Sequence, residues 1–483
     1  MEIITRKIIH KGLIATSLKL DANYNVIKEI TSYDDVILKI DAIKEFLITS
    51  YNVLPGQKVV LLTFYWPDYL SWLIACSELG LILVVIDYPR TKEALKKFDV
   101  YGKLDYLIYD LHYPPGFIDY DITLINANQL NDFKYSGNST PVWVTPDSIL
   151  MYSTSSGTTG APKLLVNRHN YFWDLMHRNA QAVYNLKDSD KCFHSKILHH
   201  GSVSATYFFP TLRYCKYHYH APYHIFVGSE QDHEEKLIKA WVNMIQEEQI
   251  TRCTMFYDQI DYLIKYLDLS KKQHDNLNVY VIAKIKPEHI DVIVKQFSYT
   301  LSSNFGTTQT GGPVFLPEIN MDNCNDFNLY NMGELPDEFY KLRLTDESLL
   351  EIKTPWDEEY ICTGDKFEVV NNQWIHKGRE NIYKINGRTL YIIILIEIIE
   401  SKLNLKNEED FDIIVDQQCD KIYIRSNMPI NLDSLNEQIL DYINEKEYKI
   451  YYNLVISRAR CFSGIKFDPE YIRIVCRNAI GLN

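Results

Sequence analysis

The run Ser153-Thr-Ser-Ser-Gly-Thr-Thr-Gly-Ala-Pro-Lys163 gathers hydroxyls, glycines and one cation into a single short segment. Glycines let successive backbone N–H groups turn toward one centre, hydroxyls add donors, and Lys163 adds a point charge. Together they make a cradle for a polyphosphate. The spacing is not GxxxxGK[ST], so this is not a Walker loop. A plain Ser/Thr/Gly turn is the alternative. The apolar run Ile149-Leu-Met-Tyr152 before it and the Pro-Lys at its end favour the cradle.

The cradle needs strands to hold it. Lys58–Thr63 is apolar and β-rich, Pro67 to Leu79 carries apolar residues at helical spacing with Gly80 at its end, and Leu81–Asp87 is a second apolar run. That is a βαβ unit whose strands should be parallel. Ile122–Ile125, Ser148–Tyr152 and Val279–Ala283 read as strands; Lys236–Glu248 and Pro287–Phe297 read as helices. From Asn331 to Ile375 the pattern turns to short β runs. The expected fold is α/β: a large N-terminal domain over 1–379 with mixed and parallel sheets flanked by helices, plus a small mobile α+β C-terminal domain over 380–483. The latter has strands expected at Phe411–Val415, Lys421–Arg425 and Lys449–Ile456 and a helix at Leu432–Glu445.

Lys plus Arg is 50 and Asp plus Glu is 63, a net charge of −13 over 483 residues. No basic face is expected, so a nucleic-acid partner is excluded, whereas a nucleotide pocket is not. The nine cysteines include no CxxC pair and read as free thiols of a cytoplasmic protein. The longest apolar stretch, Leu70 to Asp87, contains Glu78 and Gly80 and reads as core, not as a membrane span. Tyr217-His-Tyr-His220 alternates like a strand. No Cys or acidic residue completes a zinc set with His218, His220 and His224.

SSGTTGAPK resembles the phosphate-loop signature of the adenylate-forming superfamily, which includes acyl- and aryl-CoA synthetases, nonribosomal peptide synthetase adenylation domains and luciferase. Asn304–Gln309 is similar to its YGxTE segment, Tyr360–Asp365 to YxTGD, and Gly378-Arg379 with Ile382-Tyr-Lys384-Ile-Asn-Gly387 to its GRxxDxIKxxG hinge. Leu54-Pro-Gly56 through Asp87 resembles a further family stretch, so the likeness spans about residues 50 to 470. The resemblance implies ATP and Mg²⁺ as cofactors. Ser155, Ser156, Gly157, Thr158, Thr159, Gly160 and Lys163 would hold phosphates; Phe305, Gly306 and Thr307 the nucleotide; Asp365 the ribose; Arg379 and Lys384 the hinge side of the site. The residue types suit these implied roles: Phe305 offers the adenine a flat face, Gly306 permits close backbone approach, Asp365 can accept from two ribose hydroxyls, and Arg379 can donate to ribose or phosphate. Thr308 would act near the α-phosphate, and Gln309 stands where the family has a Mg²⁺-binding Glu. The family's adenylation lysine would be Lys466, one position late in Phe462-Ser-Gly-Ile-Lys466; an ordinary surface lysine is the alternative.

The substrate side is Leu198-His199-His200-Gly201-Ser202, with His200 where amino-acid-activating members carry an Asp for the ammonium group. A neutral His suits that group poorly. An aryl or acyl acid is therefore expected, although a pair of core histidines without substrate contact also fits. The implied enzyme is an AMP-forming acid–thiol ligase. It would turn a small-molecule carboxylic acid into acyl-AMP and pass it to CoA or to the phosphopantetheine of a carrier protein. The rivals are an amino-acid-activating or amide-forming member, and a nucleotide-binding protein without turnover.

Overall fold

A computed structural model describes residues 3–20, 26–63, 66–84, 103–110, 122–138, 140–154, 164–194, 207–220, 231–272, 275–282, 285, 287–307, 310–325, 327–328, 330–335, 337–379, 382–385, 388–391, 411–416, 421–426 and 452–455. Strand Lys58–Leu62 is buried on both faces. Val59 and Leu61 join one apolar cluster, and Val60 and Leu62 another. Burial on both faces explains why the sequence there is a continuous apolar run instead of an alternating one. It pairs in parallel with Ile82–Val84, and helix Trp66–Glu78 connects them, as the βαβ pattern predicts. The remainder of the run expected to Asp87 lies outside the described residues. This sheet has six strands; its far edge is the antiparallel pair Ile149–Thr154 and Leu164–Arg168.

The larger sheet has eight strands. Lys191–His194, Tyr217–His220, Arg252–Phe256, Asn278–Ile282 and Thr300–Asn304 run parallel in it. Phe193, Cys253, Val279 and Leu301 are register neighbours on one face and pack with Trp241, Met244, Ile245 and Ile260 of helices Gln231–Glu247 and Tyr257–Tyr266. The opposite face is polar yet buried, with Ser302, Tyr280, Thr254, His194, His220 and Ser17 in one row across six strands. The segment expected as a helix over Pro287–Phe297 is a single α-turn, Pro287–His289, followed by a π-helix, Ile290–Gln296. Apolar spacing does not separate the two helix types.

Asn331–Gly333, Lys341–Leu344, Leu349–Lys353, Ile361–Val370 and Gln373–Arg379 form a five-stranded antiparallel sheet, the short β runs read from the sequence. Beyond it lie the hairpin Ile382–Ile385/Arg388–Tyr391 and a smaller sheet of Phe411–Asp416, Lys421–Ser426 and Tyr452–Val455. The expected helix over 432–445 lies outside the described residues. Glu78, which argued against a membrane span, is fully buried and held by Lys44 at 2.8 Å and Arg6 at 2.7 Å. No described helix is long and apolar enough to cross a membrane. The described cysteines are free thiols.

Candidate functional site

Strand Thr300–Asn304 ends at the carboxyl edge of the large sheet and delivers Phe305 and Gly306. In parallel α/β sheets that edge is where ligands bind. Phe305 is anchored by its backbone: its N–H donates to the Phe315 carbonyl at 3.1 Å and its carbonyl accepts from Val314 N–H at 2.7 Å. Its half-buried ring lies 5.1 Å from Phe367 and 5.5 Å from His376. A Cβ on Gly306 would fall 2.3 Å from the Gly312 carbonyl oxygen, so no other residue fits without moving backbone. The close approach expected of Gly306 is thus made by its own chain. The residue itself is exposed.

Asp365 lies in strand Ile361–Val370, directly after Gly364, whose φ of +77° is the left-handed conformation that glycine adopts freely. Its backbone N–H donates to Thr363 Oγ1 at 3.1 Å, and its Oδ1 faces His376 Nε2 at 3.2 Å. The Asp365 side chain is only 10% exposed. Phe305, His376 and Asp365 therefore form one contiguous cluster, and Arg379 is the register partner of Asp365. The sequence reading missed His376. Its signal is faint: it stands on the strand that ends in Gly378-Arg379.

After Gly306, Thr307 and Thr310 are bonded to each other. Thr307 N–H donates to Thr310 Oγ1 at 3.0 Å, and Thr310 Oγ1 lies 2.8 Å from the Thr307 carbonyl and 2.9 Å from that of Gly312. The Thr310 carbonyl accepts from Tyr171 Oη at 3.0 Å and Tyr340 Oη at 2.8 Å. Burial drives both phenols far above their ordinary pKa, so both remain O–H donors. The Arg178 guanidinium donates to the Pro313 carbonyl, pairs with Asp337 at 2.8 Å and lies over the Tyr340 ring at 4.5 Å.

The remaining expected residues are less fully placed. Thr154 and Leu164 face each other across the antiparallel pair, so residues 155–163 join two adjacent strand ends. Ser155, Ser156, Gly157, Thr158, Thr159, Gly160 and Lys163 themselves lie outside the described residues, as do His199, His200, Gly201, Ser202, Thr308, Gln309 and Lys466. Lys384 is on strand Ile382–Ile385, opposite Thr389. His224 is likewise undescribed, whereas His194, His218 and His220 are buried around Trp66. His218 Nε2 can only donate to the Cys215 carbonyl, at 3.1 Å, so its Nδ1 accepts from His194 Nε2 at 3.1 Å. Both ring nitrogens of His220 are buried and have no hydrogen-bond partner among the described residues.

The sequence matches the AMP-binding enzyme family over residues 21–348. No curated protein sequence gives a significant match. Among solved structures, the chain resembles the McyG A-PCP complexed with phenylalanyl-adenylate. Identity is 14% and the TM-score 0.69, covering 95% of this chain and 92% of that one. It also resembles the o-succinylbenzoate coenzyme A synthetase of Bacillus subtilis in complex with AMP, at 12% identity and TM-score 0.68, covering 95% and 94%. The fatty acyl-adenylate ligases of E. coli and L. pneumophila are a third likeness, at 12% identity and TM-score 0.66, covering 98% and 97%. At these identities the likeness is one of fold. With the family match spanning well over half of its length, the chain belongs to the AMP-binding enzymes, the adenylate-forming superfamily that its motifs resemble.

Proposed function

We propose that this protein is an adenylate-forming ligase. It would join an aryl or acyl acid to AMP with release of pyrophosphate, then transfer the acyl group to a thiol of CoA or of a carrier protein. The observation that carries the reading is the Phe305–His376–Asp365 cluster at the carboxyl edge of the large sheet, beside the bonded pair Thr307 and Thr310. Phe305 offers a ring to the adenine, and Asp365, oriented by His376, offers a carboxylate to the ribose hydroxyls. Lys163 and the hydroxyls between Ser155 and Thr159 would take the phosphates, and Arg379 a ribose or phosphate oxygen. Gln309 would hold Mg²⁺ through its amide carbonyl, a hard oxygen donor of the kind Mg²⁺ takes. The bound ion would neutralise phosphate charge. Attack of a carboxylate on the α-phosphorus needs positioning and charge compensation more than covalent help. Thr308 and Lys466 are assigned there.

His200, in the place of an ammonium-binding Asp, supports an acid without an α-amine, lined by His199, Gly201 and Ser202. The fold likeness also includes an adenylation domain of a keto acid-selecting module bound to a keto acyl adenylate. The test is pyrophosphate release from ATP and Mg²⁺ with benzoate, 2-hydroxybenzoate, octanoate, phenylpyruvate and phenylalanine. Release with a non-amino acid, followed by a thioester on adding CoA or a carrier protein, is expected. Release with phenylalanine alone overturns the substrate assignment. Nucleotide binding without release from any acid overturns the ligase assignment.

A further inference from the structure

The Thr310 carbonyl receives one more donor than burial requires. A carbonyl hidden from water is satisfied by a single hydrogen bond, and a second fills its other lone pair. Here the two donors come from separate parts of the fold. Tyr171 sits on helix His169–Arg178, next to the six-stranded sheet; Tyr340 immediately precedes strand Lys341–Leu344 of the five-stranded sheet. Thr310 is 2% exposed, Tyr340 2% and Tyr171 8%, so all three meet in the interior.

The surroundings leave little slack. A Cβ on Gly311 would fall 2.8 Å from Tyr171 Oη, and one on Gly312 would fall 2.7 Å from Asn179 Nδ2. The chain is thus pressed directly on the side chains that hold it. The Arg178 guanidinium fixes Tyr340 by lying over its ring and fixes the Pro313 carbonyl three residues beyond Thr310. The Trp356 ring meets Tyr171 edge-on at 5.8 Å. Thr310 is in turn bonded to Thr307 through its amide and its hydroxyl. Any displacement of Thr310 is passed to Thr307.

We propose that Tyr171 and Tyr340 are positioning residues that act through the Thr310 carbonyl to fix the bonded pair Thr307 and Thr310 against bound nucleotide, with Arg178 holding Tyr340 in place. The proposal rests on the adenylation reading above. Either tyrosine hydroxyl alone keeps the carbonyl satisfied, so losing one costs little stability but removes one of two positional constraints. Losing both leaves a buried carbonyl unpaired and the pair free to shift.

The test uses the full chain with Tyr171→Phe, Tyr340→Phe and the double variant. Mg-ATP affinity is measured by calorimetry, pyrophosphate release with whichever panel acid wild type uses fastest, and the unfolding midpoint by heating. Each single variant should keep the wild-type midpoint within about 3 °C and weaken Mg-ATP binding or slow release about threefold, the size of one neutral hydrogen bond. The double variant should lose more than about tenfold, beyond the product of the singles. Singles that bind Mg-ATP and release pyrophosphate as wild type does overturn the proposal, whatever the stability of the double. So does a lowered midpoint with unchanged affinity and rate, which makes the tyrosines structural only. If wild type releases no pyrophosphate from any acid, the ligase reading fails, and calorimetry alone still decides the role of the tyrosines.

Discussion

His376 Nε2 lies 3.2 Å from Asp365 Oδ1 although the two are not register partners. Asp365 is opposite Arg379, and His376 is opposite Phe367; the register shifts between these pairs. The bulge brings a ring nitrogen to a carboxylate that a regular ladder would keep apart. The same ring contacts Phe305. One histidine therefore orients the carboxylate assigned to the ribose and backs the ring assigned to the adenine.

Asp365→Ala should weaken Mg-ATP binding by about 10- to 100-fold, the size of a hydrogen bond to a charged group. His376→Ala should weaken it less, by about three- to tenfold, because the carboxylate remains but loses its orientation. Calorimetric titration of both variants checks the ranking. Equal affinity in wild type and Asp365→Ala would remove Asp365 from the site.

Gly306→Ala is expected to be severe for its size. The added methyl would lie 2.3 Å from the Gly312 carbonyl oxygen, which is backbone and cannot rotate away. Forcing the two segments apart should cost about 1–3 kcal/mol of stability and displace Phe305. Chemical denaturation and Mg-ATP titration together check this. An alanine variant with wild-type stability and affinity would show that the two segments separate freely.

Much of the scaffold was legible because its strands obey local rules. Lys58–Leu62 is apolar throughout since both faces are buried, and the helix before Gly80 repeats at helical spacing. Asp365 is legible through its resemblance to the YxTGD motif, and its neighbours have local roles within the strand: the Thr363 hydroxyl takes the Asp365 N–H, and Gly364 takes a positive φ. His376, Tyr171 and Tyr340 were not. Each acts through a contact set by strand register or layer packing, across 11, 139 and 30 residues of chain respectively. No local pattern marks such a partner. The polar row through His194 and His220 was hidden for the same reason, since it runs across strands and not along any one of them.

Stability should fall steeply with acid. Burial pushes His169 and His218 down to about 4 and His220 down to about 3, and it holds His194 well below its ordinary value. Above about pH 6.5 these rings are neutral in folded and unfolded chains alike, and they contribute no pH dependence. Below it the unfolded chain takes up protons that the folded chain refuses. Each ring then removes up to about 1.4 kcal/mol of stability per pH unit until its folded pKa is reached. His220→Leu should lower this slope by about one proton. It should cost little at pH 7, because neither ring nitrogen has a hydrogen-bond partner among the described residues. Urea denaturation of wild type and variant between pH 5 and pH 7 measures the slopes. Identical slopes would mean that His220 titrates as an exposed ring.

A lysine delivered to the α-phosphate and the substrate carboxylate is needed only while the adenylate forms, when negative charge develops in a closed cleft. One cation there can contribute several kcal/mol. The later transfer to a thiol expels AMP and has no such requirement for this side chain. Lys466→Ala should therefore slow pyrophosphate release by about 10²-fold or more. Thioester formation from a synthetic acyl-adenylate should change much less. Lys163→Ala serves as the comparison: it should weaken ATP use through lost phosphate contact, by about 10- to 100-fold at sub-saturating ATP. An equal loss in both half-reactions for Lys466→Ala would point to a damaged fold. No loss in either would make Lys466 a surface lysine and move the role to another cation of the C-terminal region, Lys384, Arg458 or Arg460.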